Sequence, residues 1–147
     1  MKKLFKMAFI AAAIFVTSCG KSDDKTNNQT NNNLIGSWII ESETENGIAK
    51  ILDECEKKNT YTFTADNKYS LVSYETNPTN NQCVAEIENG TYSITGKQIV
   101  LTEQGNRIGE ADEATFSIAN NKLTLTFKDF KQSSSATETT VYIYKRK

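Results

Sequence analysis

Leu34-Ile35-Gly36-Ser37-Trp38-Ile39-Ile40 is the stretch on which the fold turns. Leu34, Gly36, Trp38 and Ile40 fall on one face of an extended chain, because side chains alternate between the two faces of a strand. A glycine two residues before a tryptophan leaves room for another chain or side chain to cross closely. We read this stretch as the first strand of a barrel to which the later strands return.

Downstream the period stays at two. Thr60-Tyr61-Thr62-Phe63-Thr64 alternates, Ala65 to Lys68 supplies turn residues and Tyr69 to Tyr74 returns, which makes a hairpin. Thr76 to Gln82, with Asn77-Pro78 and Asn80-Asn81, reads as a loop. Ala85 to Ile94 leads through Thr95-Gly96-Lys97 into Gln98 to Thr102, a second hairpin. Ala114 to Ile118 turns at Ala119-Asn120-Asn121 into Lys122 to Lys128. There Leu123, Leu125 and Phe127 oppose Lys122, Thr124, Thr126 and Lys128, the pattern of a sheet with one wet face. The Ser-rich stretch Asp129 to Thr137 reads as a loop, and Thr139 to Tyr144 is the closing strand. Ile48 to Leu52 is short and apolar at mixed spacing, and its pattern does not choose between a helical half-turn, a capping loop and an irregular strand.

About eight short strands in about 114 residues predict an all-β fold, a small antiparallel up-and-down β-barrel. Closure removes the exposed edges that template aggregation, and eight strands leave room inside for side chains or one small ligand. Consecutive hairpin spacing favours a meander over a Greek key.

Ahead of the barrel the chain carries a different kind of signal. Lys2, Lys3 and Lys6 precede the apolar run Met7 to Val16, which is too short to span a bilayer as a stable helix and reads as a secretory signal over residues 1–18. Val16-Thr17-Ser18-Cys19 resembles the bacterial lipobox, which implies that Cys19 is acylated and becomes the new N-terminus. The expected partner is therefore a membrane, held through acyl chains at about 0.8 kcal/mol per buried methylene. Residues 19–33, ending in Thr26-Asn27-Asn28-Gln29-Thr30-Asn31-Asn32-Asn33, are polar and of low complexity. They read as a tether with a reach of roughly 20 Å, ahead of a barrel domain over residues 34–147.

Composition excludes several activities. Without Lys2, Lys3 and Lys6 the balance is 14 basic against 18 acidic residues, which argues against nucleic-acid binding. Histidine is absent, and with it the commonest general base and zinc ligand. Nothing pairs a nucleophile with a base or forms a phosphate loop, so no enzyme activity, catalytic residue, metal or cofactor is expected. Carboxylates gather at Asp53, Glu54 and Glu56, at Glu86 and Glu88, and at Glu110, Asp112 and Glu113. Without EF-hand spacing, the reading for these is solvated strand faces and loops. Cys55 and Cys83 remain as an even pair in an exported chain, where disulfides form and persist, and are expected to be bonded.

Leu34-x-Gly36-x-Trp38, Asp53-Glu54-Cys55 before Tyr61-Thr62-Phe63, Cys83, Gly90-Thr91-Tyr92 and the terminal Val141-Tyr142-Ile143-Tyr144-Lys145 together resemble the lipocalin-like domain lipoproteins of Bacteroidota-type bacteria. The resemblance runs from Leu34 to Lys145. It implies that Gly36 and Trp38 pack at the closed end of the barrel against a basic side chain after the last strand, Lys145 or Arg146. It implies a non-catalytic binding module for a small apolar or amphipathic ligand, with Tyr61, Phe63, Tyr69, Tyr92, Phe116 and Tyr142 as candidate pocket-lining residues. The location implied is the outer membrane, with Gly20 to Lys25 resembling the export signal of surface lipoproteins. The chain is shorter than a typical lipocalin and shows no C-terminal helix, so a barrel is implied more firmly than a large cavity. A second reading is an accessory, scaffolding or hydrolase-inhibiting lipoprotein whose loops Thr76 to Val84 and Asp129 to Thr137 contact proteins. Ligand identity and oligomeric state are not legible.

Overall fold

The computed structural model describes residues 33–105, 111–131 and 136–147. The predicted signal segment 1–18, Cys19, the tether short of its last residue, and Glu110 lie outside the described residues. Among the described residues there are nine strands: β1 (Gly36–Glu45), β2 (Ile48–Lys50), β3 (Thr60–Phe63), β4 (Lys68–Thr76), β5 (Cys83–Thr95), β6 (Gln98–Glu103), β7 (Asp112–Ala119), β8 (Lys122–Lys131) and β9 (Ala136–Arg146). All pairings are antiparallel. From β3 to β9 each strand pairs with the next, and β1 pairs with both β3 and β9. The result is a closed eight-stranded meander with β2 as an extra strand.

The undecided stretch at Ile48 is this extra strand. Asn46 and Gly47 both have positive φ, 52° and 81°, and form the two-residue turn that pairs Glu45 with Ile48. Asn-Gly between two extended runs is the strongest short hairpin signal, because such a turn needs left-handed backbone at both positions. β1 pairs with β3 along its first half and with β2 along its second.

Two strand boundaries differ from the sequence expectation. The expected loop Asp129 to Thr137 is largely ladder: Asp129, Phe130 and Lys131 pair with Glu138, Thr137 and Ala136. The loop Thr76 to Gln82 likewise starts later, since Thr76 pairs with Cys83. In both places a neighbouring strand satisfies the backbone of the residues that flank the expected loop, which carries the ladder further than local composition suggests.

The core occupies the lower half of the barrel. Trp38, Phe63, Leu34, Ile99, Leu123 and Leu125 are its most completely buried side chains. Phe63 meets Tyr92 edge-on at 5.3 Å, and Tyr61 stacks on Phe63 at 5.4 Å. At the closed end the Arg146 guanidinium lies 4.2 Å over the Trp38 ring and donates to the carbonyls of Ile35 and Asn33. The Trp38 indole N–H donates to Leu34 O at 2.7 Å. Gly36 leaves the space this requires, since a Cβ there would sit 2.7 Å from Arg146 Nη1, at a φ of +129° that side chains rarely adopt. Arg146, not Lys145, takes the basic position over Trp38.

Gly90 is a second close approach, in the middle of β5. A Cβ there would meet the Thr102 carbonyl oxygen at 2.2 Å and the Tyr69 ring at 2.6 Å. The oxygen belongs to a paired strand and cannot swing away, so Gly90→Ala is expected to destabilise the protein by about 1–3 kcal/mol, the usual cost of overpacking. Urea denaturation checks this, and an unchanged midpoint would contradict the close approach.

Candidate functional site

Strand direction sorts the barrel into two ends. The short turns β3–β4, β5–β6 and β7–β8 and the C-terminus lie at the closed end. The β1–β2 hairpin, the segment 51–59 and the β4–β5 connection lie at the other. Among the described residues a cavity of about 430 Å³ lies between that second end and the aromatic core.

The inward positions of each strand decide what lines it. Along β4 the series runs Tyr69, Leu71, Ser73, Glu75, so the face that is apolar below turns polar above. On β5, Glu88 lies opposite Leu71; on β7, Asp112 lies opposite Leu101; on β8, Asp129 follows Phe127 two residues on. β1 reaches the cavity by a different route. Its ladder with β9 slips between Ile40 and Ser42, a bulge at Glu41. Trp38 and Ile40 point inward before the bulge and Glu43 after it, since one inserted residue reverses the alternation. Glu43 is the buried charged side chain of the barrel among the described residues.

Glu43 is partnered. Lys50, across the β1–β2 hairpin, approaches its carboxylate at 3.3 Å and that of Glu56 at 3.0 Å. Burial pushes the Lys50 ammonium towards neutrality, but its hydrogen bonds to Glu56 and Glu43 and their charges prevail, and its pKa lies above the ordinary lysine value. On the floor, Tyr69 donates its hydroxyl to Glu88. Burial, then that carboxylate, hold the Tyr69 phenol well above its usual range. Tyr61, Tyr142 and Tyr144 also line the cavity, with Tyr61 and Tyr144 edge-on at 5.5 Å. Burial first, then neighbouring charge, raises the pKa of all three. All four phenols therefore stay protonated at neutral pH.

The rim is tied on one side by the Cys55–Cys83 disulfide, which joins the segment before β3 to the start of β5. Asp53 reinforces the tie. It accepts from the backbone N–H groups of Cys55 and Glu56 and from the Thr76 hydroxyl, at 2.7, 2.8 and 2.8 Å. Its own N–H donates to Glu56, a reciprocal arrangement that caps the short helical turn Glu56–Lys58.

Of the six aromatic residues named from the sequence, Tyr61 and Tyr142 line the cavity, and Tyr69 reaches it through Glu88. Phe63, Tyr92 and Phe116 do not line it; they are buried in the plug beneath, and the Tyr92 hydroxyl is spent on Thr64 O at 2.9 Å. Of the acidic clusters, Glu56, Glu88 and Asp112 turn out to face the cavity, while Glu54, Glu86 and Glu113 are exposed and lie off its lining. Glu43, Lys50, Glu75 and Asp129 had not been singled out. For Glu75 and Asp129 the signal was an acidic residue that continues the inward alternation near a strand end; Glu43 and Lys50 carried none. A larger depression, about 770 Å³, lies on the outer surface among Thr62, Ser70, Asn89 and Thr102, which alternate with the inward residues. It also touches Tyr69 and Gly90, and none of its lining residues is shared with the cavity at the other end.

The profile of the lipocalin-like domain matches residues 34–111, which is more than half of the chain. The chain belongs to the lipocalin-like domain family. Among solved structures, a lipocalin-like protein from Bacteroides uniformis superposes with a TM-score of 0.53 at 13% identity, covering 78% of this chain and 99% of that one. A protein from Bacteroides eggerthii gives 0.52 at 13% identity, with the same coverage. At these identities the likeness concerns the fold. No curated protein searched matches the chain. The open cup of this lipocalin-like domain sits where a closed barrel has room for a guest, at the mouth above its packed plug.

Proposed function

We propose that this protein is a membrane-tethered, non-catalytic binding module that holds a small apolar or amphipathic ligand in the cup at the open end of its barrel. The observation that carries the reading is the cup itself. Its 430 Å³ falls within the roughly 300–1,000 Å³ of ligand pockets, and its floor is made of aromatic rings with polar tips. The plug below leaves the guest at the mouth, so the ligand is small and partly exposed to water.

The tether is proposed to start at an acylated Cys19, at the outer membrane. Metabolic labelling with an alkyne fatty acid checks this: the wild-type chain takes up label and sediments with membranes, and Cys19→Ser does neither. Native mass spectrometry of gently purified full chain tests the ligand. A bound species of small mass, released on unfolding, is expected. An empty cup that also fails to take up small aromatic probes would overturn the reading.

One observation favours contact with a protein instead. Ile48, Ile51, Val84 and Ile87 are large apolar side chains left exposed, Ile51 at 93%, on the segments that border the rim. Scattered surface apolars are ordinary, but these flank the disulfide-tied side of the mouth. Crosslinking on intact cells separates the readings: a reproducible protein partner lost on Ile51→Ser and Val84→Ser supports docking, and none is expected of a ligand carrier.

A further inference from the structure

The cup has a sign. Among the described residues six carboxylates line it, Glu43, Glu56, Glu75, Glu88, Asp112 and Asp129, against the one ammonium of Lys50. Lys50 is taken up by Glu43 and Glu56, and Glu88 accepts from Tyr69. Among the described residues Glu75, Asp112 and Asp129 have no ion pair or hydrogen bond. They come from three different strands, β4, β7 and β8, and face the same space.

A second observation is independent of that charge. Tyr61 and Tyr144 line the same cup, are only 6% and 3% exposed, and have no hydrogen-bond partner among the described residues. Buried hydroxyls are normally paired, and each exception calls for an explanation. The charges that act on these phenols come from across the cup: Glu88 and Asp112 on Tyr61, and Glu43 on Tyr144. Both residues thus bring an unpaired, buried hydroxyl to a cavity whose other lining is acidic.

We propose that the cup selects an organic cation, an amine carrying a small aromatic or aliphatic body, with its ammonium beside Asp112 and Asp129, which lie two residues beyond the Ala114–Phe127 pair of β7 and β8, and its body on the Tyr61, Tyr142 and Tyr144 rings. This names the ligand class for the binding-module reading and rests on it. Lys50 already displays the chemistry, since its ammonium is held by two of the six carboxylates. Aromatic faces attract ammonium groups through the ring quadrupole, and a protonated phenol offers an oxygen that accepts from N–H. A metal ion fits less well. Hard cations need several oxygens converging at about 2–2.6 Å, and among the described residues no three Asp, Glu or Cys side chains are grouped to hold one. Anionic amphiphiles such as fatty acids are repelled by the same carboxylates, which makes the acidic lining a device against the wrong guest.

Three probes of one shape and different charge test this on the full chain: phenethylamine, phenethyl alcohol and hydrocinnamate. Titrations followed by tyrosine ring shifts in NMR spectra are expected to give binding of the amine at least about tenfold tighter than the alcohol, and no binding of the acid. Asp112→Asn with Asp129→Asn, both exposed positions where the fold tolerates exchange, is expected to weaken the amine by about tenfold and leave the alcohol unchanged. Tyr61→Phe is expected to weaken the amine with the melting temperature unchanged or raised, because a purely structural hydroxyl would lower it. If amine and alcohol bind alike in the cup, the charge selection is wrong and the binding module stands. If calcium occupies the carboxylates and the amine does not, the site is a metal site and the proposal falls. If none of the probes binds and the purified chain carries no guest, both readings fall.

Discussion

Trp38→Ala is expected to lower the unfolding free energy by about 3–5 kcal/mol, the range for deleting a large buried aromatic. Trp38 is fully buried, and three things end on it. Its ring fills the base of the barrel, its N–H satisfies Leu34 O at 2.7 Å, and its face carries the Arg146 guanidinium at 4.2 Å. Alanine leaves a cavity that β1, β3 and β9 cannot close without breaking their ladders, because Trp38 is paired with Tyr61 on one side and Arg146 on the other. Trp38→Phe keeps most of the volume and loses the indole donor, so a smaller loss of about 1–3 kcal/mol is expected from the orphaned carbonyl. Arg146→Ala removes the cation–π contact and the hydrogen bonds to the Ile35 and Asn33 carbonyls, all at an exposed guanidinium, and is expected to cost about 1–2 kcal/mol. Urea denaturation of the three variants gives the order. A Trp38→Ala loss below that of Arg146→Ala would show that the closed end is held by the strand ladder alone.

Removal of the disulfide has the other large effect. Cys55→Ala with Cys83→Ala is expected to destabilise the protein by about 3–4 kcal/mol, from the closure entropy of a loop spanning 28 residues. The cross-link acts mainly on the unfolded chain, so the folded rim need not collapse without it. Asp53 still joins Cys55, Glu56 and Thr76 by hydrogen bonds. That carboxyl is held below the ordinary aspartate range, chiefly by the Glu56 N–H and then by the Thr76 hydroxyl. Its folded-state pKa being depressed, the rim support it gives is complete above the unfolded aspartate pKa and is lost as pH falls through the lower folded value. The double variant is therefore expected to be more sensitive to acid at the rim than the wild type. Hydrogen exchange of residues 52–58 and 76–84, read at neutral pH and at about pH 3, checks this near the aspartate range. Equal protection in both proteins at low pH would remove the role given to Asp53.

Much of the barrel was legible because its strands are short, alternate cleanly and are joined by turns with asparagine or glycine in left-handed backbone. Asn67, Gly96, Asn120 and Asn121 all have positive φ at the turns expected there. Asn46-Gly47 carried the same signal but stood beside a three-residue strand, too short to show alternation. The ends of β8 and β9 were hidden for the opposite reason: Asp129 to Lys131 and Ala136 to Glu138 flank a Ser-rich segment and read as loop with it until each is seen paired with the other.

The candidate site was less legible. Glu43 sits at a position that strict alternation from Trp38 would turn outward, and a bulge at Glu41, whose carboxylate meets Lys122 at 2.5 Å, is what brings it in. Nothing local announces that bulge. Glu75, Glu88, Asp112 and Asp129 lie far apart in sequence and each is ordinary for a strand end.

The chain by itself determined the class of fold, the room for a close crossing at Gly36 and the pairing of Cys55 with Cys83, because alternation, close approach and cysteine count are local or countable properties. The closed-end role of Trp38 came from the family resemblance. Only the tertiary structure decided that the lower aromatics are a plug, that Arg146 is the side chain seated on Trp38, and that the mouth is an acidic cup over unpaired phenols. Those are facts of register. A closed barrel assigns each inward side chain a height as well as a face, and height comes from how eight strands are staggered around the ring, which no single strand encodes.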